Sequence, residues 1–378
     1  MLFRGPSSRV VSKAVCINRV EMGLSRRMDA TFGRQNAHQR QALGLGCFEP
    51  CGVTPANIPC PMDLQSPQYW VSKGHLGAVS ALEVLLPGDN EPPLIFSCGM
   101  DKTSAIWRLS GSELELRRKI ILSGGPAFCA VGDMRSEDGL LDRIYMGTHS
   151  NTVLSWTPET PLESDEYTII GRQCGWVRSM VSDGRWLFCA ACNQIQMFDR
   201  ARAVPTLVAS IALEKGDILA MACLKDSLYA GTVDGCLYAF DIDRCGNISL
   251  RSCRTRAHNG RITDLIAYKG MLLSSSYDGS IKAWDCRDLE IVNILSNAHS
   301  GERVNCLQLG PCDVLYSGGV DATIRKWEPN VFEQLEIPVR IPNGDSARCL
   351  ACTKDFMALG TAKGDILVWN ASANISLQ

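Results

Sequence analysis

Along most of the chain, short apolar runs alternate with polar turns, at strand spacing and not at the three-to-four spacing of a helix. The stretch Leu272–Arg287, LLSSSYDGSIKAWDCR, shows the unit. Two apolar residues, three small hydroxyl residues, a turn at Tyr277, Asp278 and Gly279, and an alternating run to Trp284 predict two short strands joined tightly. A hairpin alone cannot bury its apolar face, so it needs neighbours, and the chain supplies copies. The runs WVRSMVSDGRWLFCA, DILAMACLKDSLYAG and SARCLACTKDFMALG share a short strand, a tight turn and a second strand. The aromatics that close the apolar runs are Trp107, Trp156, Phe198, Phe240, Trp284, Trp327 and Trp369, spaced by 49, 42, 42, 44, 43 and 42 residues. A period near 40 to 45 with four strand-like runs per unit predicts an all-β, seven-bladed propeller.

Three copies share further positions. His75, Ser97, Asp101 and Trp107 recur as His258, Ser274, Asp278 and Trp284, and again as His299, Ser317, Asp321 and Trp327. This pattern resembles the WD-repeat family over residues 68 to 370. The resemblance implies a buried hydrogen-bond chain in each such blade, His to Ser and Asp, with the Trp indole completing it. Polar satisfaction is the physical reason, because a buried Asp is tolerable only when its neighbours donate to it. Other copies depart from the pattern: Ser150, Cys192 and Lys363 stand where Asp is expected, so those blades must rely on packing. In the family, a segment such as QYWVS at 68 to 72 forms the outer strand of the last blade, which places it beside Asp365 to Asn370 here. The late blades also resemble plant zinc-finger WD-repeat proteins. The CCCH finger of that family has no counterpart in this sequence, so RNA binding is not carried over.

Charge changes the picture only at the front. Residues 1 to 46 carry eight Lys or Arg against Glu21 and Asp29, about +6, which leaves the remainder near −8. Such a body is unsuited to nucleic acid. No run approaches the roughly 18 apolar residues of a membrane span, and no apolar segment follows Arg4 as in a secretory signal, so membrane insertion is not expected. The 18 cysteines, scattered through strand-like runs, read as reduced thiols acting as small apolar residues. Residues 1–60 match no blade and form a basic extension, irregular or partly helical, ahead of a propeller spanning 61–378. Its Arg- and Ser-rich start reads as a mitochondrial or plastid transit peptide or as a flexible arm, with cytoplasm or nucleus the location in the second case.

Candidate chemistry is sparse. Three of the five histidines, His75, His258 and His299, belong to the blade pattern, and no motif for a nucleophile, metalloprotease or phosphate cradle is present. The chain is therefore read as a non-enzyme, with no cofactor and no small-molecule substrate. Cys189 with Cys192 and Cys349 with Cys352 have CxxC spacing, but three residues along a strand point to opposite faces, which prevents joint ligation of one ion. Cys47, Cys51 and Cys60, with His38, form a looser cluster matching no ligand pattern, so whether they bind metal is left open.

The predicted function is a scaffold for protein partners. Aligning the blades places Ala78, Ala127, Trp176, Asp217, Arg261, Arg303 and Ser346 at the exposed start of each first strand, with Met100, His149 and Tyr277 on the same rim. Trp, Tyr and Arg are typical interface anchors, so Trp176, Arg261, Tyr277 and Arg303 are the candidate binding patch. One alternative comes from resemblance. LLSSSYDGSIKAWDCR fits the motif of WD-repeat substrate receptors for cullin-RING ubiquitin ligases, which implies adaptor docking through Asp285 and Arg287 of the closing Trp284–Arg287 segment.

Overall fold

The computed structural model describes residues 67, 69–71, 73–85, 93–110, 113–134, 141–157, 167–201, 204–353 and 356–370. Residues 1–60, with the basic extension and Cys47, Cys51 and Cys60, lie outside the described residues, as does the tail from 371. Among the described residues the strands form seven four-stranded antiparallel sheets, taken in chain order. This is the all-β, seven-bladed propeller that the aromatic spacing predicts. The inner strands of blades 1 to 7 are Val79–Leu85, Ala127–Met134, Val177–Asp183, Ile218–Leu224, Ile262–Tyr268, Val304–Leu309 and Ala347–Cys352.

Burial explains the residue types. Second strands such as Met271–Ser276 lie between neighbouring blades and are buried on both faces, so they are runs of small and apolar residues. Outer strands meet solvent and alternate, as Glu113–Ile121 does. The apolar clusters join neighbouring blades: Phe188 and Met197 of blade 3 pack with Met221 and Phe240 of blade 4, and Tyr268 and Leu273 of blade 5 pack with Leu307 and Trp327 of blade 6. Stability therefore resides in the seams, each fully buried large side chain contributing about 1.5–3 kcal/mol.

The ring closes through blade 7. Tyr69, Trp70 and Val71 pair antiparallel with Val368, Leu367 and Ile366, at the place the family resemblance implies. A glycine fastens this closure. His75 donates its backbone N–H to the Gly364 carbonyl at 3.0 Å, and Gly364 sits at φ +95, where a Cβ would lie 2.1 Å from the His75 carbonyl oxygen. Gly235 repeats the device between blades 4 and 5, against His258.

Every inner strand also shifts register between its first and third residues, a β-bulge at the second. The bulge residues are Ser80, Phe128, Arg178, Leu219, Thr263, Asn305 and Arg348. A bulge re-aims its side chain out of the pleat. Ser80, Thr263 and Asn305 use this to donate to the first carbonyl of the next inner strand, those of Ala127, Val304 and Ala347, at 2.6–2.7 Å. Where the bulge residue is Phe128 or Arg348, the following cysteine does so instead, with Cys129 reaching Val177 and Cys349 reaching Val79. These cysteines are free thiols filling the seam, and burial pushes their pKa values up, that of Cys349 to about 12. A Cβ on Gly147 or Gly360 would strike them, which accounts for glycine on the neighbouring strand.

Candidate protein-interaction face

The three histidine blades share one geometry. In blade 1, His75 Nε2 lies 2.8 Å from Ser97 Oγ, and the Trp107 indole N–H donates to the same oxygen at 2.8 Å. His75 Nδ1 lies 3.1 Å from Asp101, which also accepts from the Leu76 backbone and the Thr103 hydroxyl. In blade 5, His258 reaches Ser274 at 2.7 Å and Asp278 at 3.1 Å, and Trp284 donates to Ser274 at 2.8 Å. In blade 6, His299 reaches Ser317 and Asp321, both at 2.7 Å, and Trp327 donates to Ser317 at 2.8 Å. All three histidines are buried.

Burial holds His75 and His258 below the usual histidine pKa. Burial opposes ionisation of the aspartates too, but hydrogen bonds from His and the neighbouring Ser or Thr outweigh it, so Asp278 lies well below the carboxylate range and Asp321 at about 2. Each of these groups is depressed on folding, so each contributes stability that is complete above its unfolded pKa and is lost as pH falls. For His258 the loss begins near pH 6.5, and for the aspartates near pH 4. The stability advantage of the natural chain over His258→Gln is thus expected to shrink between pH 7 and pH 5. Thermal unfolding of both proteins across that range checks it, and a constant difference would contradict it.

Where Ser is missing, the indole is stranded. Met146 and Leu359 stand where Ser97 does in blade 1, two residues beyond the partners of Trp156 and Trp369, and neither indole N–H has an acceptor among the described residues. In blade 2, Thr148, Ser150 and Thr152 replace the His–Asp pair with a hydroxyl cluster at 2.7–3.1 Å, beside a cavity of about 210 Å³.

These networks bring the blade ends to one face. The backbone N–H groups of Met100, His149, Tyr277 and Val320 donate to the carbonyls of Ala78, Pro126, Arg261 and Arg303. Pro126, not Ala127, is thus the blade 2 rim residue. Ala127 is the first residue of its strand and is wholly buried. The four candidate anchors fall into two groups separated by blade 4. On blades 5 and 6, the Arg261 and Arg303 guanidinium carbons lie 4.9 and 4.8 Å from the centre of the Tyr277 ring. On blades 2 and 3, the Trp176 ring packs at a tilt of about 30° against His149, with centres 4.4 Å apart, and Phe128, 5.8 Å apart, with Arg178 over both Trp176 and Phe128. Trp176 stays 43% exposed despite these contacts. Phe128 and Arg178 are not candidates from sequence; both are bulge residues.

At the opposite end of blade 5, Arg287 projects into solvent and makes a two-point ion pair with Asp285, at 3.1 and 2.7 Å. Cys192 occupies a turn at φ +50 while Cys189 lies in the strand, and among the described residues no three His, Cys, Asp or Glu gather as metal ligands. No helix among the described residues is long and apolar enough to cross a membrane.

A family model described as "WD domain, G-beta repeat" matches residues 250–285 and 290–328, which span most of blades 5 and 6 and two of the three networks. The crystal structure of the WD40 beta propeller domain of Doa1 superimposes with a TM-score of 0.66 at 15% identity, covering 80% of this chain and 96% of that one. This chain is a WD-repeat propeller. The computationally designed Ika8 protein has the same fold, with a TM-score of 0.57 at 16% identity, over 80% of this chain and 99% of that one. Among curated proteins, the propeller is 26% identical over 160 residues to zinc finger CCCH domain-containing protein 17 of Oryza sativa subsp. japonica, 42% of this chain and 35% of that protein. It is 38% identical over 79 residues to zinc finger CCCH domain-containing protein 59 of Arabidopsis thaliana, 20% of this chain and 16% of that protein. It is 35% identical over 69 residues to putative E3 ubiquitin-protein ligase LIN-1 of Lotus japonicus, 18% of this chain and 5% of that protein. The chain thus spans about a third or less of the length of these relatives. A propeller of this family is in general a platform for protein interaction.

Proposed function

We propose that the protein is a non-catalytic scaffold that docks protein partners on the face carrying Trp176, Arg261, Tyr277 and Arg303, with no role for nucleic acid, cofactor or small-molecule substrate. The observation that carries the reading is the exposed Trp176, held in place by His149, Phe128 and Arg178 while its free surface faces solvent. A side chain already pinned by its neighbours loses little rotamer entropy on binding, and aromatic anchors of this kind dominate interface energies. Trp176→Ala combined with Tyr277→Ala is expected to reduce partner recovery in quantitative affinity purification about tenfold, at unchanged melting temperature. Full recovery by the double variant would remove this face from the function.

A second reading has its own observation. Arg287 stands out from the opposite end of the propeller, oriented by Asp285, in the position by which the cullin-RING receptors present an arginine to their adaptor. The relative named as a putative E3 ubiquitin-protein ligase lends it weight. A cullin adaptor recovered with the natural chain and lost with Arg287→Ala would favour it; its absence from both purifications would dismiss it.

A further inference from the structure

The first residues before the inner strands and the seven bulge residues surround the mouth of the ring on the docking face. Four of these positions are arginine, Arg178, Arg261, Arg303 and Arg348, and one is acidic, Asp217, in a body whose net charge beyond residue 46 is about −8. Among the described residues no carboxylate lies within ion-pair distance of any of the four. Arg185, Arg251 and Arg325, by contrast, each meet a carboxylate, those of Asp199, Asp241 and Asp321.

Arg261 and Arg303 come from different blades yet gather on one ring. Their distances to the Tyr277 centre place the two guanidinium carbons within about 10 Å of each other. Each guanidinium lies over the ring, and among the described residues neither donates a side-chain hydrogen bond, so the N–H fork is available to a ligand. Two like charges at this separation repel, and a single carboxylate relieves only one of them. A dianionic group with three acceptor oxygens relieves both and suits the arginine fork.

Resting on the docking face proposed above, we infer that Arg261 and Arg303 form a pincer for a phosphorylated serine or threonine of the partner protein, with Tyr277 as its floor. The apolar stack at Trp176 receives other residues of the same partner. A nucleic acid would bring a long run of phosphates against a net-negative body, whereas a phosphopeptide brings its charge to one point.

The test uses the full-length chain and fluorescence anisotropy with degenerate peptides carrying a fixed phosphoserine or phosphothreonine, the unmodified residue, or glutamate. Phosphopeptides are expected to bind about tenfold more tightly than either counterpart, with a steep salt dependence. Arg261→Ala and Arg303→Ala should each abolish the preference, and the Lys variants should restore only part of it, since an ammonium lacks the fork. Equal binding of phosphorylated and unmodified pools overturns the pincer, as does retention of the preference in both Ala variants or stronger binding of single-stranded RNA that depends on the same arginines. Phosphatase treatment of the cell extract separates the two claims. Partners that need Trp176 and Tyr277 but survive phosphatase and both arginine substitutions leave the docking face standing without the pincer. Partners indifferent to all four residues overturn both.

Discussion

Asp278→Ala is expected to lower the unfolding free energy by about 3 kcal/mol, against less than about 1 kcal/mol for Ser150→Ala at the equivalent place in blade 2. The contrast follows from what each residue holds. The Asp278 carboxylate accepts from the Asn259 and Ser280 backbones and the Ser280 hydroxyl, and it faces His258 at 3.1 Å. Removing it leaves a wholly buried imidazole without its charged partner and unfastens the loop that carries His258. Among the described residues Ser150 hydrogen-bonds only to Thr148 and Thr152, which already bond each other at 2.7 Å. Denaturant unfolding of both variants measures the difference, and amide exchange localises it to blade 5. A loss below about 1 kcal/mol for Asp278→Ala would show that packing alone holds that blade.

The second large effect concerns closure. A chain starting at residue 67 keeps the strand Tyr69–Val71, and a chain starting at residue 73 lacks it. The longer one is expected to melt as the full chain does. The shorter should melt more than about 10 °C lower and aggregate, because Ile366–Asn370 becomes an uncovered edge. The strand contributes its ladder with Ile366, Leu367 and Val368, and Val71 packs into the cluster of Val79, Leu82, Ile366 and Val368 that joins blades 7 and 1. Equal melting of the two truncations would mean that those pairings add nothing to the ring.

What was legible in the sequence follows the same division between seam and face. The aromatic spacing reveals the blades because each closing residue takes the same register: Trp107 opposite Ile95, Trp156 opposite Ile144, Trp284 opposite Leu272, and Trp327 opposite Leu315. Packing between blades forces that register, so it leaves a mark in the chain. The bulges leave none. Their occupants, Ser80, Phe128, Arg178, Leu219, Thr263, Asn305 and Arg348, share neither size nor polarity, since the side chain is turned out of the core and only the backbone is specified. Hence Phe128 and Arg178 escape a reading by pattern, although they hold Trp176. The shift from Ala127 to Pro126 has a related cause: the turn at Ser123–Gly125 carries no blade histidine from which to count. Arg261, Tyr277 and Arg303 were visible singly because two blades with complete networks fix the count. Their convergence on one ring depends on the curvature between blades, which no single repeat encodes.

The sulfur in the seams has a practical consequence. Cys98, Cys189 and Cys306 are buried, and burial raises their thiol pKa values, which keeps them from alkylating reagents. Each becomes reactive only when the two blades around it part. The protein thus contains an intrinsic set of clocks: the rate at which each cysteine is alkylated in native buffer times the opening of one particular joint in the ring, and comparing those rates shows where the circle first breaks.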